Sequence, residues 1–278
     1  MPVKSAKWAA VADWSLPRED LSGRDREGFK PPPLERPRGT LAGFRQRLRR
    51  LADLQFGSIW RDLSALLPEV RGTLADVGCG AQPFRDLLKP DVHYVGVDIA
   101  GAQERFGYSV PDIRQIRGDR LPLADGEVDA VLCTETLEHV LEPRLLLREM
   151  ERALAPQGRL ILTVPFAARW HFIPHDYWRY TPSGLSYLLG EAGFREVRIY
   201  ARGGALAVAA YKVLGLVLLL LAGHGHRGIA AAPWRTVGVC LLPFGVAAIL
   251  AGNLGIRYSG PAEDTLGYTV LARKQVRG

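Results

Sequence analysis

Between residues 73 and 200, short runs of β-branched and aliphatic residues alternate with segments in which apolar positions recur every three or four residues. The runs at 73–77, 93–98, 113–117, 128–133, 158–164 and 196–199 predict strands, and the segments 83–88, 143–154 and 182–192 predict helices. Such alternation builds a parallel sheet with helices on both faces, and ligands bind at the carboxyl ends of its strands. Upstream, Leu41, Phe44, Leu48, Leu51, Leu54, Ile59 and Leu63 keep helical spacing, and Gly57 divides the segment into two helices.

Two further stretches are apolar almost without interruption. Residues 203–223 carry only Lys212 as a charge, and 229–252 only Arg235. Each is near the length that spans a bilayer. Three readings stay open: a transmembrane hairpin, a pair dipping into one leaflet, and two helices buried in a soluble dimer. Lys212, Arg235 and Pro243 count against full spanning, so the leaflet-dipping form leads. By contrast, residues 1–40 are rich in charge and proline and predict a loose arm, with Trp8 and Trp14 as its large anchors.

Composition narrows the setting. The chain has 278 residues, 47% of them hydrophobic, enough for a packed core. Cys79, Cys133 and Cys240 are odd in number and scattered, which is no disulfide framework and points to a reducing, cytoplasmic setting. The first thirty-odd residues show no secretory signal. A net charge of +7 raises nucleic acid or anionic membrane as partners. Arg45, Arg47, Arg49 and Arg50 crowd the first predicted helix, as a solvated face of a lid or a lipid-facing surface. No nucleic-acid motif accompanies them, so nucleic acid is not expected.

The densest chemistry lies at strand ends. Asp76 closes the first strand and is followed by Gly78, Cys79 and Gly80, a turn against which a ligand can lie. Asp98 closes the second strand about twenty residues later, the spacing at which a carboxylate receives ribose hydroxyls. A dinucleotide fingerprint would need glycine where Pro83 stands. Asp76 suits instead a ligand with a cationic group. The helix expected to open at Pro83 would add its N-terminus to the site.

On these residues, Asp76 to Gly80, Val97-Asp98, 118–125, 127–140 and 154–165, the chain resembles the class I S-adenosylmethionine-dependent methyltransferases over roughly 73–200. The resemblance implies a doubly wound, mostly parallel seven-stranded Rossmann-like sheet whose last, antiparallel strand lies within 265–274. The domain would span 72–278, with lid helices at 41–71 and an apolar helical insertion at 203–260. It implies S-adenosylmethionine as cofactor, held by Asp76, Gly78, Cys79, Gly80, Asp98 and Ile99, with Asp119, Arg120 and Thr134 on the adenine side and fourth strand.

The turn after the fourth strand holds Glu135, Glu138 and His139, which either face an acceptor or serve the dipole of a following helix. The loop 169–182 is crowded with aromatic and ionisable residues ahead of a helix capped at Thr181, and resembles the acceptor-covering stretch of related glycan and lipid methyltransferases. It offers His175 and Tyr177, with His139, as catalytic groups, and Asp176, Arg179 and Tyr180, with Glu135, as acceptor contacts. His175 is either a general base or a hydrogen-bonded structural residue. His171 and His175 stand four apart, but Pro174 disfavours a helix there and no Glu is interleaved, so no metal is expected. The function implied is methyl transfer to a hydrophobic or lipid-linked acceptor at the inner face of the membrane, in a chain that is free to oligomerise. The alternatives are a non-catalytic cofactor-binding membrane scaffold and a soluble small-molecule methyltransferase.

Overall fold

The computed structural model describes residues 21, 23–25, 34–37, 39–223, 225–226, 228–257 and 263–275, without the side chains of residues 105 and 106. Most of the proposed arm, with Trp8 and Trp14, lies outside the described residues. Residues 34–37 are in place: Glu35 pairs with Ala81 as a parallel bridge, and the Arg36 guanidinium meets Asp86 at 2.5 Å.

Seven strands form one sheet: β1 (Thr73–Val77), β2 (His93–Ile99), β3 (Ile113–Ile116), β4 (Val128–Thr134), β5 (Leu154–Pro165), β6 (Phe194–Ala201) and β7 (Gly267–Lys274). Their spatial order is β3-β2-β1-β4-β5-β7-β6, all pairs parallel except those of β7 with β5 and β6. The chain order reverses between β1 and β4, which opens a crevice beyond the carboxyl ends of those strands.

Alternation along the strands supplies two cores. Ala75, Val77, Val131, Cys133, Leu160 and Leu162 face α4 (Pro143–Ala153) and α5 (Pro182–Glu191), burying Leu147, Met150, Leu185 and Leu189. Leu74, Leu132 and Ile161 point the other way, onto α2 (Leu54–Leu66) through Phe56, Ile59 and Leu63. Thr181 caps α5, its Oγ accepting from the Gly184 N–H at 3.1 Å, as its place before Pro182 predicts. The short helix α3 (Ala102–Phe106), between β2 and β3, was not expected.

The helix expected over 83–88 is absent; only a 3-10 turn, Arg85–Leu87, forms. Gln82 takes a positive φ of 55°, Pro90 biases Lys89 away from helical backbone, and β2 begins at His93, leaving no room for a full helix. No helix N-terminus therefore meets the site from this segment.

In the insertion, the second apolar run is two helices. α6 (Ala205–Leu221) is followed by α7 (Ala232–Cys240) and α8 (Leu242–Arg257), the last two bent by 52°. Pro243 explains the break, since its ring conflicts with the carbonyl four residues earlier and it has no N–H to give. Leu54, Ala207, Ala210, Ala248, Ile256 and Leu266 form a third cluster that fastens α6 and α8 to the start of α2. The Arg61 guanidinium also donates to the Ile256 carbonyl.

The first helix, α1 (Thr40–Ala52), buries no residue at all. Leu41, Phe44, Leu48 and Leu51 line one face and are 51–61% exposed. The four arginines are not one solvated face: Arg49 and Arg50 fold back over the Phe56 and Trp60 rings, and only Arg45 and Arg47 stay exposed.

Candidate functional site

Asp76 and Asp98 end neighbouring strands, Asp76 paired in register with Gly96 of β2. Period-two spacing puts Tyr94, Gly96 and Asp98 on one face of β2. The Tyr94 hydroxyl reaches across to donate to Asp76 Oδ2 at 2.7 Å. Asp76 Oδ1 is buried and accepts nothing. Burial raises the Asp76 carboxyl from its ordinary 3.8 to about 7, the Tyr94 bond opposing and the Asp98 charge adding to the rise. An unmatched buried carboxylate oxygen at a strand end fits an incoming cationic group.

The turn between them is clamped to β2, because the N–H groups of Gly78 and Cys79 both donate to the Val97 carbonyl at 2.8 and 3.2 Å. Gly78 has φ 74°, and a Cβ there would lie 2.3 Å from Thr136 Oγ1. Gly80, at φ 49°, would direct a Cβ into open space. The first glycine is thus required by packing and the second leaves a free backbone surface against which a ligand can rest. Burial pushes the Cys79 thiol up, so it stays protonated and is no nucleophile.

Asp98 Oδ2 accepts from the Gly80 N–H at 3.0 Å and from the Tyr108 hydroxyl at 2.8 Å, while Oδ1 accepts from the Ile99 N–H at 2.8 Å. Tyr108 therefore fills one acceptor position of Asp98, and Oδ1, with a single donor, keeps another for a ribose hydroxyl. Beside it opens a cleft of about 720 Å³, lined by Leu34, Arg49, Gln82, Arg85 and Tyr108 among others. That is within the size range of small-molecule sites. These observations fit S-adenosylmethionine: a carboxylate for its ammonium, a bare turn beneath it, and an acid at the ribose position. Asp119 and Arg120 are less engaged; both are exposed, and Arg120 pairs with Asp125 at 3.2 Å.

Across the switch point, Thr134 ends β4 and its carbonyl accepts from Thr136 Oγ1 at 2.9 Å. Glu135, at φ 45°, ion-pairs at 2.8 Å with Arg202, a side chain of zero exposure. Arg202 also donates to the Val164 carbonyl at 3.0 Å and Ser58 Oγ at 3.2 Å. Sequence reading missed Arg202, since nothing local marks an arginine beside an apolar run as buried. Tyr108 likewise carries no signal, whereas the period-two relation of Tyr94 to Asp98 was available.

The loop after β5 folds onto the turn after β4. Asp176 is buried and binds Arg179 through both oxygens, at 2.6 and 2.7 Å, and accepts the His171 N–H at 3.0 Å. Hydrogen bonds from Arg179 and His171 outweigh burial and hold its carboxyl well below the usual range. Asp176 and Arg179 thus brace the loop. Tyr180, expected to touch an acceptor, is turned into the core, its hydroxyl donating to the Leu137 carbonyl at 3.1 Å. His175 and Tyr177 are exposed and joined, Nδ1 to hydroxyl, at 2.9 Å. His139 is separate from them: its Nδ1 lies 2.6 Å from the His175 carbonyl, and burial lowers its imidazole to about 4, so it is neutral at pH 7. His139 instead lies with Glu138 and His171, a grouping that sequence spacing did not show because it joins two loops.

Residues 75–162 match the family model described as a methyltransferase domain. The ubiquinone biosynthesis O-methyltransferase of Cereibacter sphaeroides is 30% identical over 167 residues, covering 49% of this chain and 66% of that protein. The demethylmenaquinone methyltransferase of Paenarthrobacter aurescens is 32% identical over 114 residues, 37% of this chain and 42% of its own length. The chain thus matches less than two thirds of the length of either relative. A solved methyltransferase from Archaeoglobus fulgidus, described as SAM-dependent, is similar at a TM-score of 0.49 and 17% identity, covering 83% of this chain and 100% of that one. The strand order, the acids at the ends of β1 and β2 and the family match over residues 75–162 agree on a class I S-adenosylmethionine-dependent methyltransferase domain.

Proposed function

We propose that the chain transfers a methyl group from S-adenosylmethionine to a hydrophobic acceptor at the membrane face. The observation that carries the transfer is the set of groups at the crevice: the unmatched Asp76 oxygen, the bare Gly80 turn and the Asp98 carboxylate. The cofactor supplies an already activated methyl on a positively charged sulfur. The chain's task is therefore alignment, with Asp76 holding the ammonium, Asp98 the ribose, and the loops after β4 and β5 orienting the acceptor. His175 and Tyr177 stay available to take a proton from an acceptor hydroxyl, as an exposed hydrogen-bonded pair. Relatives named for ubiquinone and menaquinone chemistry support an apolar acceptor.

Asp98→Asn is expected to weaken S-adenosylmethionine binding by roughly 1.5–3 kcal/mol, the loss of one charged hydrogen bond. Calorimetry checks this, and unchanged affinity would remove Asp98 from the site. Incubation with methyl-labelled cofactor and a total lipid extract should move label into the organic phase. Binding without any transfer, to lipid or to water-soluble extract, would favour the scaffold reading.

Support for the membrane face comes from two exposed apolar surfaces. Among the described residues no single helix is long and apolar enough to cross a membrane, though α7 and α8 together pass as a bent pair. Phe244, Val246, Leu250 and Leu254 of α8 are 53–64% exposed, and the apolar face of α1 is exposed beside them. The helices adjoin where Asn253 donates to the Leu51 carbonyl at 2.9 Å. Lys212 turns back onto the loop after β5, where its ammonium donates to the Ala167 carbonyl. An apolar area of this size calls for a cover, and Arg45 and Arg47 at its margin suit anionic headgroups.

Flotation with vesicles containing anionic lipid should carry the protein upward. Phe244→Glu should cut the bound fraction by about tenfold or more, since burying one such side chain contributes ~1.5–3 kcal/mol. A wild-type protein that stays at the bottom of the gradient as a detergent-free oligomer would replace lipid with a second copy of the chain.

A further inference from the structure

We propose that the chain holds a divalent transition-metal ion on Glu138, His139 and His171, between the turn after β4 and the loop after β5. The site goes beyond methyl transfer and does not rest on it. One ligand atom from each residue lies within 4.8 Å of the other two. His139 Nε2 and Glu138 Oε1 are 3.6 Å apart, close to the ~3.4 Å that separates donors around a tetrahedral zinc ion.

A second observation points into this spot. Glu138 has zero exposure, yet neither carboxylate oxygen has a hydrogen-bond partner, and the same is true of His139 Nε2. A buried carboxyl with no donor, facing a buried ring nitrogen with no partner, is costly unless a cation or proton joins them. At 3.6 Å a proton does not bridge them in a hydrogen bond whereas a cation between them can, and the outer contacts leave the ring nitrogens ready for one. His139 Nδ1 lies 2.6 Å from the His175 carbonyl, and His171 Nδ1 lies 2.9 Å from Asp176 Oδ2 and 3.1 Å from the Arg169 carbonyl. The carbonyls accept only, and the Asp176 carboxylate, bound through both oxygens by the Arg179 guanidinium, accepts likewise. Both Nδ1 atoms must therefore carry the hydrogen, which leaves each Nε2 with its lone pair.

Asp176 is in turn fixed by Arg179, which completes the carboxylate–histidine–metal chain that orients ligand imidazoles. Two imidazoles and one carboxylate select zinc, cobalt or ferrous iron over magnesium or calcium, which prefer an all-oxygen shell. His139 and His171 side chains are each 20% exposed, so an ion can enter from their side.

Cobalt(II) titration of the chelator-treated full chain, followed by the visible bands of four-coordinate cobalt, tests the site without any methyl donor. One equivalent is expected to bind. His171→Ala and Glu138→Gln should each weaken it by roughly 100-fold or more, and Asp176→Asn by about 10–100-fold. His175→Ala, whose ring is outside the set, should leave it unchanged. Melting curves establish that each variant folds, and zinc should raise the melting temperature of the wild type but not of His171→Ala. If Glu138→Gln or Asp176→Asn fails to fold, the partly exposed His171→Ala decides. No bands in the wild type, or equal cobalt affinity in His171→Ala, would overturn the proposal.

Discussion

Arg202→Ala is expected to destabilise the fold by about 3–5 kcal/mol, the penalty for removing one partner of a buried ion pair. The guanidinium joins three parts of the molecule: Glu135 after β4, the Val164 carbonyl in β5, and Ser58 in α2. Its own backbone binds the start of β7 and the residue before it, through the Gly267 carbonyl and the Leu266 N–H at 2.8 and 3.2 Å. Truncation leaves Glu135 without its cation and a cavity where a fully buried side chain stood. For a domain of this size the loss corresponds to roughly 10 °C in melting temperature. Arg202→Met with Glu135→Gln should recover part of it, because the methionine fills volume and no unpaired charge remains. Thermal melts showing Arg202→Ala within 1 kcal/mol of wild type would mean that water replaces the guanidinium at little cost.

A second large effect concerns pH. The Asp76 carboxyl stands at about 7 in the fold, against 3.8 ordinarily, because burial disfavours its charge. The folded state therefore keeps a proton that the unfolded chain has released. Stability should fall as pH rises from about 4 to about 7 and then level off, by at most ~4 kcal/mol over that interval. Asp76→Asn should remove this component and be the more stable protein at pH 8, while matching wild type near pH 4. It should also lose affinity for S-adenosylmethionine, since the ammonium requires the ionised form. Binding to the wild type at pH 6 is accordingly expected to release close to one proton, and at pH 8.5 to release none and instead take up most of one on the ligand's α-amino group. Denaturant melts at both pH values, and calorimetry in buffers of different ionisation heat, check the two halves. Identical pH profiles for wild type and Asp76→Asn would show that another group governs the dependence.

The two effects differ in kind. Arg202 holds the crevice walls in place whether or not a ligand binds, whereas Asp76 is strained until one does. A site that is costly when empty gains stability from its ligand, so cofactor should raise the melting temperature of the wild type more than that of Asp76→Asn.

The sheet and the carboxylates at its ends were legible in one dimension. Strands as short β-branched and aliphatic runs, helices with three-to-four-residue spacing and the Asp76-to-Gly80 turn are local patterns, and local patterns survive in one dimension. Asp98 followed from spacing alone, and the cap at Thr181 from its place before Pro182. Where the local reading failed, at residues 83–88, apolar content suggested a helix but the distance to Pro90 and β2 was too short for one.

Which charges are buried, and what they meet, depends on contacts between residues far apart in the chain. Arg202 is 67 residues from Glu135 and 144 from Ser58 along the chain, and no periodicity links them. Tyr180 was placed at the site because it stands in a dense loop, but α5 docks so that its ring seals the core. Glu138, His139 and His171 converge because the loop after β5 folds back over the turn after β4, a closure set by Asp176 and Arg179. Likewise the apolar face of α1 reads in sequence like any amphipathic helix. Its exposure follows from the packing of α2, which takes the place on the sheet and leaves α1 without a core to cover.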